Sequence, residues 1–290
     1  MTTSPTGPSG GTTPLWPARL DHVQITSPQP AVMRDFYRKI LGGTLRELGD
    51  DQWLIAGAQR RVVIGPGPAK KLGYAAYVVE DKDRLAALRD GLSKAGVALK
   101  PSPSRLFGPE AFAVADPDQN LAVFGLPAVV ADTPHKDHLP GRLQHVVVAT
   151  ESLPAMIEFY TGKLGFRLSD RVVDDAKDTA VAFFRSDEEH HSFACFRARA
   201  RQLDHFCFET TCWNDIRDWA DYLATLHIPL GWGPGRHGPG NNLFFMLNDP
   251  DGNAFEFSAE IEHIPYETPA RDWPHEQRTL NYWGSAWMRS

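Results

Sequence analysis

Short runs of apolar and β-branched residues alternate along the chain with amphipathic segments. The run at residues 20–25 is typical of a strand and precedes a helical pattern that contains Phe36 and Tyr37. The run at residues 143–148 is followed by a second helical pattern, which contains Phe159 and Tyr160. Both helical patterns end in Leu-Gly, as expected where glycine supplies the left-handed residue after a helix. The order therefore predicts a strand, then a helix, then further strands in each half.

The two halves of the chain repeat one another. His22 and His145 open corresponding strands, and the turn pattern Asp-Pro-Asp-x-Asn occurs at residues 116–120 and again at residues 249–253. Several landmarks that match in the same order indicate an internal duplication. We therefore predict an α+β protein of two tandem domains, each made of paired βαβββ modules that form a curved mixed sheet.

Composition suggests where the domains begin and end. Residues 1–15 are rich in Ser, Thr, Gly and Pro, and are expected to be a disordered tail before a first domain at 16–128. Residues 129–141 are polar, contain two prolines and are interpreted as a linker to a second domain at 142–262. Residues 263–290 are an aromatic and basic tail. This tail is expected either to cover a pocket as a lid or to pack on the domain surface.

Overall charge and composition exclude several classes of protein. The chain has 290 residues with 42% hydrophobic and 23% charged residues, as globular proteins do. Its net charge is −6 and it has no Lys/Arg block, so a nucleic-acid partner is disfavoured. Apolar runs fall short of the roughly 18 residues of a membrane helix, and the first residues do not have the pattern of a signal peptide. With three cysteines and no disulfide framework, we expect a cytoplasmic protein without a membrane partner.

The duplication lets each candidate residue be compared with its counterpart in the other half. The second half places His145, His205 and Glu256 in strands, whereas the first half has a histidine, Tyr74 and Val123 at those positions. A carboxylate in an apolar strand is costly to bury unless it is paired or binds a cation. Glu256 alone could instead point outward to solvent, but two nearby histidines favour a metal site. Two histidines and one carboxylate are typical of Fe(II) oxygenases.

The segment at residues 233–256, GPGRHGPGNNLFFMLNDPDGNAFE, resembles the signature of type I extradiol ring-cleaving dioxygenases. These enzymes belong to the vicinal oxygen chelate (glyoxalase-like) superfamily, and the similarity is greatest to the homoprotocatechuate 2,3-dioxygenase and catechol 2,3-dioxygenase branch. The resemblance implies a metal-free first domain and His145, His205 and Glu256 as ligands of Fe(II), with Mn(II) as an alternative ion. It also implies cleavage of a catechol-type ring adjacent to the diol by O2, and assembly as a homo-oligomer.

The resemblance also assigns roles to histidines beside the metal. One histidine would deprotonate the diol and later return a proton, and the candidates are His190 and His191. The separation from His205 favours His191, but a slip of one residue would exchange the two, and both could instead form a solvated pair. His237 matches a histidine that donates a hydrogen bond to a substrate oxygen.

The substrate pocket is expected to depart from the family pattern. Arg236 matches an arginine that binds a substrate carboxylate, although it could also be a solvated loop residue. Where the family usually has a tyrosine, this chain has Met246, which cannot donate a hydrogen bond. Phe245 and Met246 would therefore make this wall of the pocket more apolar. Tyr266 or Tyr282 could supply the missing hydroxyl.

Two other functions fit the same sequence. The superfamily includes lyases, isomerases and transferases that use a metal only as a Lewis acid, and their turnover would consume no oxygen. It also includes proteins that sequester small aromatic compounds, which would bind a ligand without turnover.

Overall fold

The computed structural model describes residues 12–57, 59–128 and 139–288. Within these ranges the chain forms two domains, each built around one mixed sheet. The elements of the first domain are β1 (Ala18–Ser27), α1 (Pro30–Leu41), β2 (Thr44–Gly49), β3 (Gln52–Gly57), β4 (Arg60–Pro66), β5 (Lys71–Val79), α2 (Lys82–Lys94), β6 (Leu99–Pro101), β7 (Phe112–Ala115) and β8 (Leu121–Gly125).

The second domain repeats this order and adds a C-terminal strand and helix. Its first helix, α3, continues into a π-helical segment at Glu158–Leu164. The elements are β9 (Arg142–Thr150), α3 (Leu153–Ile157), β10 (Arg167–Val173), β11 (Thr179–Arg185), β12 (Phe193–Arg197), β13 (Gln202–Glu209), α4 (Trp213–Thr225), β14 (Trp232–Arg236), β15 (Leu243–Asn248), β16 (Ala254–Ala259), β17 (Arg271–Pro274) and α5 (Gln277–Leu280).

The order of elements confirms the predicted α+β architecture with four βαβββ modules. The first sheet has the strand order β2-β3-β4-β1-β5-β8-β7-β6, and the second has β14-β15-β16-β13-β9-β12-β11-β10-β17. In each domain the first strands of the two modules pair antiparallel at the centre of the sheet. One apolar core cluster includes residues of both domains.

Strand register confirms that the two halves correspond residue by residue. In each domain the strand that opens the first module pairs with the strand that opens the second, and the latter pairs with the last strand of its module. The site positions inferred by comparing the halves are therefore equivalent in three dimensions. The equivalent pairs are His22 and His145, Tyr74 and His205, Ala76 and Cys207, and Val123 and Glu256.

The repeated Phe-Tyr and Asp-Pro-Asp-x-Asn motifs meet across the domain interface. The Tyr37 hydroxyl donates to Asp249 Oδ2 at 2.8 Å, and the Tyr160 hydroxyl donates to Asp116 Oδ2 at 3.2 Å. Each domain thus supplies one tyrosine and one aspartate to a reciprocal pair of contacts. Burial is the main cause that raises the pKa of Asp116 to about 6, and it also raises the pKa of Asp249.

We expect Tyr37→Phe to lower the free energy of unfolding by about 1–3 kcal/mol, because it leaves the buried Asp249 carboxyl without this donor. Urea denaturation measures the change. Tyr222→Phe is the matched control, since its hydroxyl makes an exposed bond to the Lys39 carbonyl, and it should stay within about 0.5 kcal/mol of the parent. Equal losses in the two variants would contradict the role of burial.

The predicted boundaries need one correction near the N-terminus. Leu15 is fully buried, and Thr13 Oγ1 donates to the Gly165 carbonyl at 2.9 Å, so residues 12–15 pack against the second domain and are not a tail. The rest of the expected tail, residues 1–11, lies outside the described residues, as do residues 129–138 of the expected linker.

Among the described residues, no helix has both the length and the apolar character needed to cross a bilayer. Cys195, Cys207 and Cys212 all carry free thiols. Burial raises the pKa of the first two thiols well above its usual range, so both are protonated at neutral pH.

Candidate active site

Three polar side chains converge on one face of the second sheet. His145 lies on β9, His205 on β13 and Glu256 on β16, and these three strands are neighbours in the sheet. The two Nε2 atoms are 3.3 Å apart, and Glu256 Oε2 lies 3.9 Å from His145 Nε2 and 3.5 Å from His205 Nε2. Ligands about 2.1 Å from one ion and at right angles to each other are about 3 Å apart, so these donors fit a shared ion.

Hydrogen bonds behind the histidines orient them toward this centre. His145 Nδ1 bonds to the side-chain oxygen of Gln144, and His205 Nδ1 bonds to Asp204 Oδ1 at 2.6 Å. Because both partners are oxygen acceptors, each ring carries its proton on Nδ1 and directs the Nε2 lone pair to the centre. Burial, reinforced by the other histidines, lowers the pKa of His145 well below its usual value. A neutral ring is the form that binds metals.

The carboxylate is held by a partner of its own, whereas a nearby thiol is less suited to binding. Glu256 Oε1 accepts from Asn242 Nδ2 at 3.2 Å, while Oε2 faces the histidines. Cys207 Sγ lies within 4.8 Å of ligand atoms of His145 and Glu256, but it contacts Ser258 Oγ at 2.9 Å. The thiol is thus already engaged by the Ser258 hydroxyl. Two histidine nitrogens and one carboxylate fit a divalent ion with open positions.

In the first domain, hydrogen bonds within the protein occupy the equivalent histidine, His22. His22 Nδ1 lies 2.7 Å from Asp21 Oδ1, and His22 Nε2 lies 2.6 Å from Ser104 Oγ. Both ring nitrogens are therefore satisfied within the protein. Tyr74 and Val123 stand where the second domain has its other two donors. The described residues of the first domain thus do not repeat the donor cluster.

A cavity opens directly beside the donor cluster. Most of its wall is apolar, and among the described residues no lysine or arginine lines it. The lining comprises His145, Val147, Phe183, His191, Phe196, His205, Trp232, His237, Pro239, Met246, Glu256 and Leu280.

The structure distinguishes the two adjacent histidines that the sequence left as alternatives. His191 lines the cavity, and its ring centroid is 4.3 Å from that of His145. His190 is fully buried behind it, with Nδ1 2.9 Å from His191 Nδ1 and Nε2 2.8 Å from Asp170 Oδ2. His191 is therefore placed to meet a substrate, whereas His190 touches His191 only from the protein side.

His237 also reaches the cavity, and its expected role as a hydrogen-bond donor to a substrate oxygen stays a prediction. Its Nδ1 bonds to the Leu280 carbonyl, which can only accept, so this nitrogen carries the proton. Its Nε2 is 4.0 Å from Glu256 Oε1, and its ring stacks on Phe244 with centroids 3.7 Å apart.

Arg236 does not take the position expected for a carboxylate-binding residue. Its Nη2 donates to Glu260 Oε2 at 2.8 Å, and its Nη1 donates to the Asn241 carbonyl at 2.7 Å. The side chain is thus paired within the protein and is absent from the cavity lining. The expectation that it engages an acidic substrate group is corrected accordingly.

Phe245 and Met246 point to opposite faces of β15. Met246 pairs with Glu256 across the sheet and lines the cavity, as expected. Phe245 pairs with Phe257 and is fully buried in the main core, so the expectation that it contacts substrate is wrong. Neighbouring residues of a strand face opposite sides, which is why only one of this pair can reach the site.

The C-terminal tail both packs on the second domain and covers the cavity. Its strand β17 pairs in parallel with β10, and Leu280 lines the cavity. Trp287 stacks on Trp232 with ring centroids 5.2 Å apart, and Trp232 Nε1 donates to the Ser285 carbonyl at 2.8 Å. Neither tail tyrosine considered as a source of the missing hydroxyl is part of the described lining.

Several residues of the site were missed by sequence reasoning. Gln144 and Asp204 each come directly before a strand histidine, and Asp21 precedes His22 in the same way. This repeated pairing of a polar residue with a histidine was the available signal. Asn242 and Leu280 carry no comparable signal, because their contacts depend on how distant segments fold together.

The fold and the site define a two-domain protein with a buried His/His/Glu cluster in the second of two duplicated domains. The chain belongs to the Glyoxalase/Bleomycin resistance protein/Dioxygenase superfamily, whose family model matches residues 19–124 and 142–257. The resemblance inferred from the sequence is thereby confirmed.

Similar proteins include named dioxygenases. Metapyrocatechase 2 of Cupriavidus necator is 31% identical over 244 residues, which cover 75% of this chain and 73% of the relative. An iron-dependent extradiol dioxygenase of Rhodococcus jostii (strain RHA1) is 26% identical over 91% of this chain and 95% of its own length. The solved structure of homoprotocatechuate 2,3-dioxygenase from Arthrobacter globiformis has a TM-score of 0.80 at 23% identity, covering 97% of this chain and 92% of that chain. At this identity the structural likeness concerns the fold.

Proposed function

We propose that this chain is an Fe(II)-dependent extradiol ring-cleaving dioxygenase that acts on catechols without an acidic side chain. The observation that carries the proposal is the convergence of His145, His205 and Glu256 beside a cavity that also contains His191. The dioxygenase names of the relatives in Cupriavidus and Rhodococcus support the reaction class.

The metal would be held by His145 Nε2, His205 Nε2 and one oxygen of Glu256. When bound, Fe(II) supplies Lewis acidity toward the diol and electron transfer to O2, which side chains cannot provide. Mn(II) is an alternative ion because the same nitrogen and oxygen ligands accept it. In support, a Mn(II)-bound glyoxalase from Novosphingobium aromaticivorans has a similar fold, with a TM-score of 0.77 at 21% identity over 92% of this chain and 91% of that chain.

The cavity histidines would manage the protons of the reaction. Burial, reinforced by the neighbouring histidines, holds the pKa of His191 well below its usual value, so the ring is neutral before the substrate binds. A neutral ring that lines the cavity has a lone pair available for a proton of the diol. His191 would return this proton to the reacting substrate at a later step, before the product leaves. The carbon–carbon bond beside the diol breaks, both atoms of O2 enter the ring-opened acid, and no external reductant is needed.

The substrate class follows from the wall of the cavity. Apolar residues such as Phe183, Phe196 and Trp232 surround the donor cluster, and the described lining contains no cationic side chain. A carboxylate in this place would lose its hydration without gaining a partner, which is costly. Arg236, which could have supplied one, is paired with Glu260. Catechol and alkyl- or aryl-substituted catechols therefore fit better than acidic catechols.

Oxygen uptake by the Fe(II)-loaded protein tests this proposal. We expect catechol and 3-methylcatechol to give a yellow ring-opened product, with kcat/KM about 10–100-fold above that of 3,4-dihydroxyphenylacetate, the effect of leaving one charge unpaired. Uptake would be followed with an oxygen electrode and a visible spectrum after anaerobic loading. Iron binding without oxygen uptake from any catechol would contradict the reaction, and a preference for the acidic catechol would contradict only the substrate class.

Met246 favours one alternative, a non-oxidative enzyme that uses the metal as a Lewis acid. Its thioether supplies no hydroxyl at a position where the dioxygenase pattern has a tyrosine. Such an enzyme would turn over its substrate under nitrogen as fast as in air, whereas the dioxygenase stops without O2.

We also propose a cytoplasmic location and assembly as a homo-oligomer. The three free thiols are compatible with a reducing compartment. Light scattering on the purified protein would give the assembly state, and a monomer at micromolar concentration would contradict the second proposal.

A further inference from the structure

Two polar side chains continue the hydrogen-bonded chain from His191 into the protein. His191 Nδ1 is 2.9 Å from His190 Nδ1, and His190 Nε2 is 2.8 Å from Asp170 Oδ2. Both His190 and Asp170 are fully buried, and neither lines the cavity. We propose that Asp170 and His190 are positioning residues that set the tautomer of His191, so that its Nε2 presents a lone pair to the substrate.

Asp170 begins this chain because all its partners are donors. Its Oδ1 accepts from Arg271 Nε at 2.8 Å, and its Oδ2 accepts from Trp273 Nε1 at 2.8 Å and from Arg271 Nη2 at 3.0 Å, in addition to the contact with His190. A carboxyl surrounded by donors is stable only as the carboxylate. Burial raises the pKa of Asp170, whereas the hydrogen bonds from His190 and Arg271 lower it. The lowering is the larger effect, so the pKa lies below its usual value.

The Asp170 carboxylate determines the tautomer of His190, which in turn determines that of His191. Because the carboxylate can only accept, His190 must carry a proton on Nε2. Burial lowers the pKa of His190, so its ring is neutral and its Nδ1 is an acceptor. His191 Nδ1 must then be the donor in the contact between the two rings. The remaining nitrogen of His191, Nε2, is left with its lone pair on the cavity side, as a base requires.

Asp170→Asn should reverse the whole chain while preserving its shape. The NH2 group of the new amide must face some of the groups that donated to the carboxylate. Of His190, Trp273 and Arg271, only His190 can become an acceptor. His190 would therefore move its proton to Nδ1, and His191 would accept at Nδ1 and carry its proton on Nε2. His191 could then no longer take a proton from the substrate.

Trp273→Phe is the matched control. It removes another hydrogen bond to the same carboxylate oxygen but leaves the bond between Asp170 and His190 in place. A role of Asp170 that is only structural would make the two variants alike. A role in setting the tautomer would affect only Asp170→Asn.

Nitrogen-15 NMR of histidine in the full-length, metal-free protein reads the tautomers directly, with signals assigned from His190→Gln and His191→Gln. We expect protons on His190 Nε2 and His191 Nδ1 in the parent and in Trp273→Phe, and reversed positions in Asp170→Asn. A parent protein with its proton on His191 Nε2 would overturn the inference, even where the variant fails to fold. Unchanged tautomers in folded Asp170→Asn would overturn it as well.

The kinetic consequence rests on the proposed dioxygenase function, whereas the NMR result does not, so failure of one can be told from failure of the other. In the iron-loaded enzyme, we expect Asp170→Asn to lower kcat by about 10²–10⁴-fold with KM nearly unchanged, the range that a general base contributes. Trp273→Phe should keep kcat within a few-fold of the parent. Equal kcat losses in both variants at equal iron content would overturn the inference.

Discussion

Glu256→Val is expected to abolish metal binding and oxygen uptake while the protein stays folded. Valine occupies the equivalent place in the first domain, where Val123 is fully buried in the corresponding strand, so the scaffold tolerates this side chain. Loss of the carboxylate leaves two histidine nitrogens with no negative charge to hold a divalent ion. Metal affinity should fall by more than about 100-fold, since even residues behind the ligands typically contribute 10–100-fold.

Equilibrium dialysis against Fe(II) without oxygen, followed by an oxygen electrode, measures both effects. Cys207→Ala is the matched control, because Cys207 belongs to the same cluster of potential ligands and its counterpart in the first domain is Ala76. This control should retain its metal. If Cys207→Ala lost metal as completely as Glu256→Val, the thiol would be a ligand and the proposed His/His/Glu set would be wrong.

His191→Asn is expected to lower kcat by about 10²–10⁴-fold with the metal still bound. The substitution removes the base beside the substrate and leaves the three donor residues unchanged. The deficit should shrink as the pH rises, since a catechol hydroxyl that ionises in solution no longer needs a base. The parent enzyme should show no such gain. Rates at saturating catechol, normalised to bound iron, measure the effect across the pH range.

Phe183→Leu is the control for this variant. Phe183 lines the cavity and its ring packs against His191 with centroids 5.1 Å apart, so the change disturbs the same wall without removing a proton acceptor. Its kcat should fall far less and should not recover with pH. A His191→Asn enzyme that matched Phe183→Leu at every pH would show that His191 acts by packing alone.

Much of the fold and the three candidate ligands could be predicted from the sequence, because the chain contains two copies of one domain that can be compared. Repeated landmarks such as His22 and His145 predicted the duplication, and the strand pairing bears it out. The same comparison singled out Glu256 against Val123, and the register places these two residues at equivalent points. Pattern matching within one chain needed no knowledge of side-chain contacts.

Sequence reasoning was less successful where a side chain could take either of two directions. Arg236 could bind a substrate or a neighbour, and in the folded chain it pairs with Glu260. Phe245 and Met246 are adjacent, and only the strand register shows that Met246 shares a face with Glu256. The order of residues along one strand gives the alternation, but only the pairing of β15 with β16 shows which side chains share a face.

By itself, the sequence determined the two-fold repeat, the strand and helix order, and the three residues that stand out against the repeat. These features are local or periodic, and the order of apolar and polar residues along the chain shows the period directly. The tertiary structure alone decided that His191 rather than His190 meets the cavity, and that Asp170 lies beside Trp273 more than 100 residues away in the chain. Such contacts arise when strands from distant segments pair, because the register of that pairing fixes which side chains share a face.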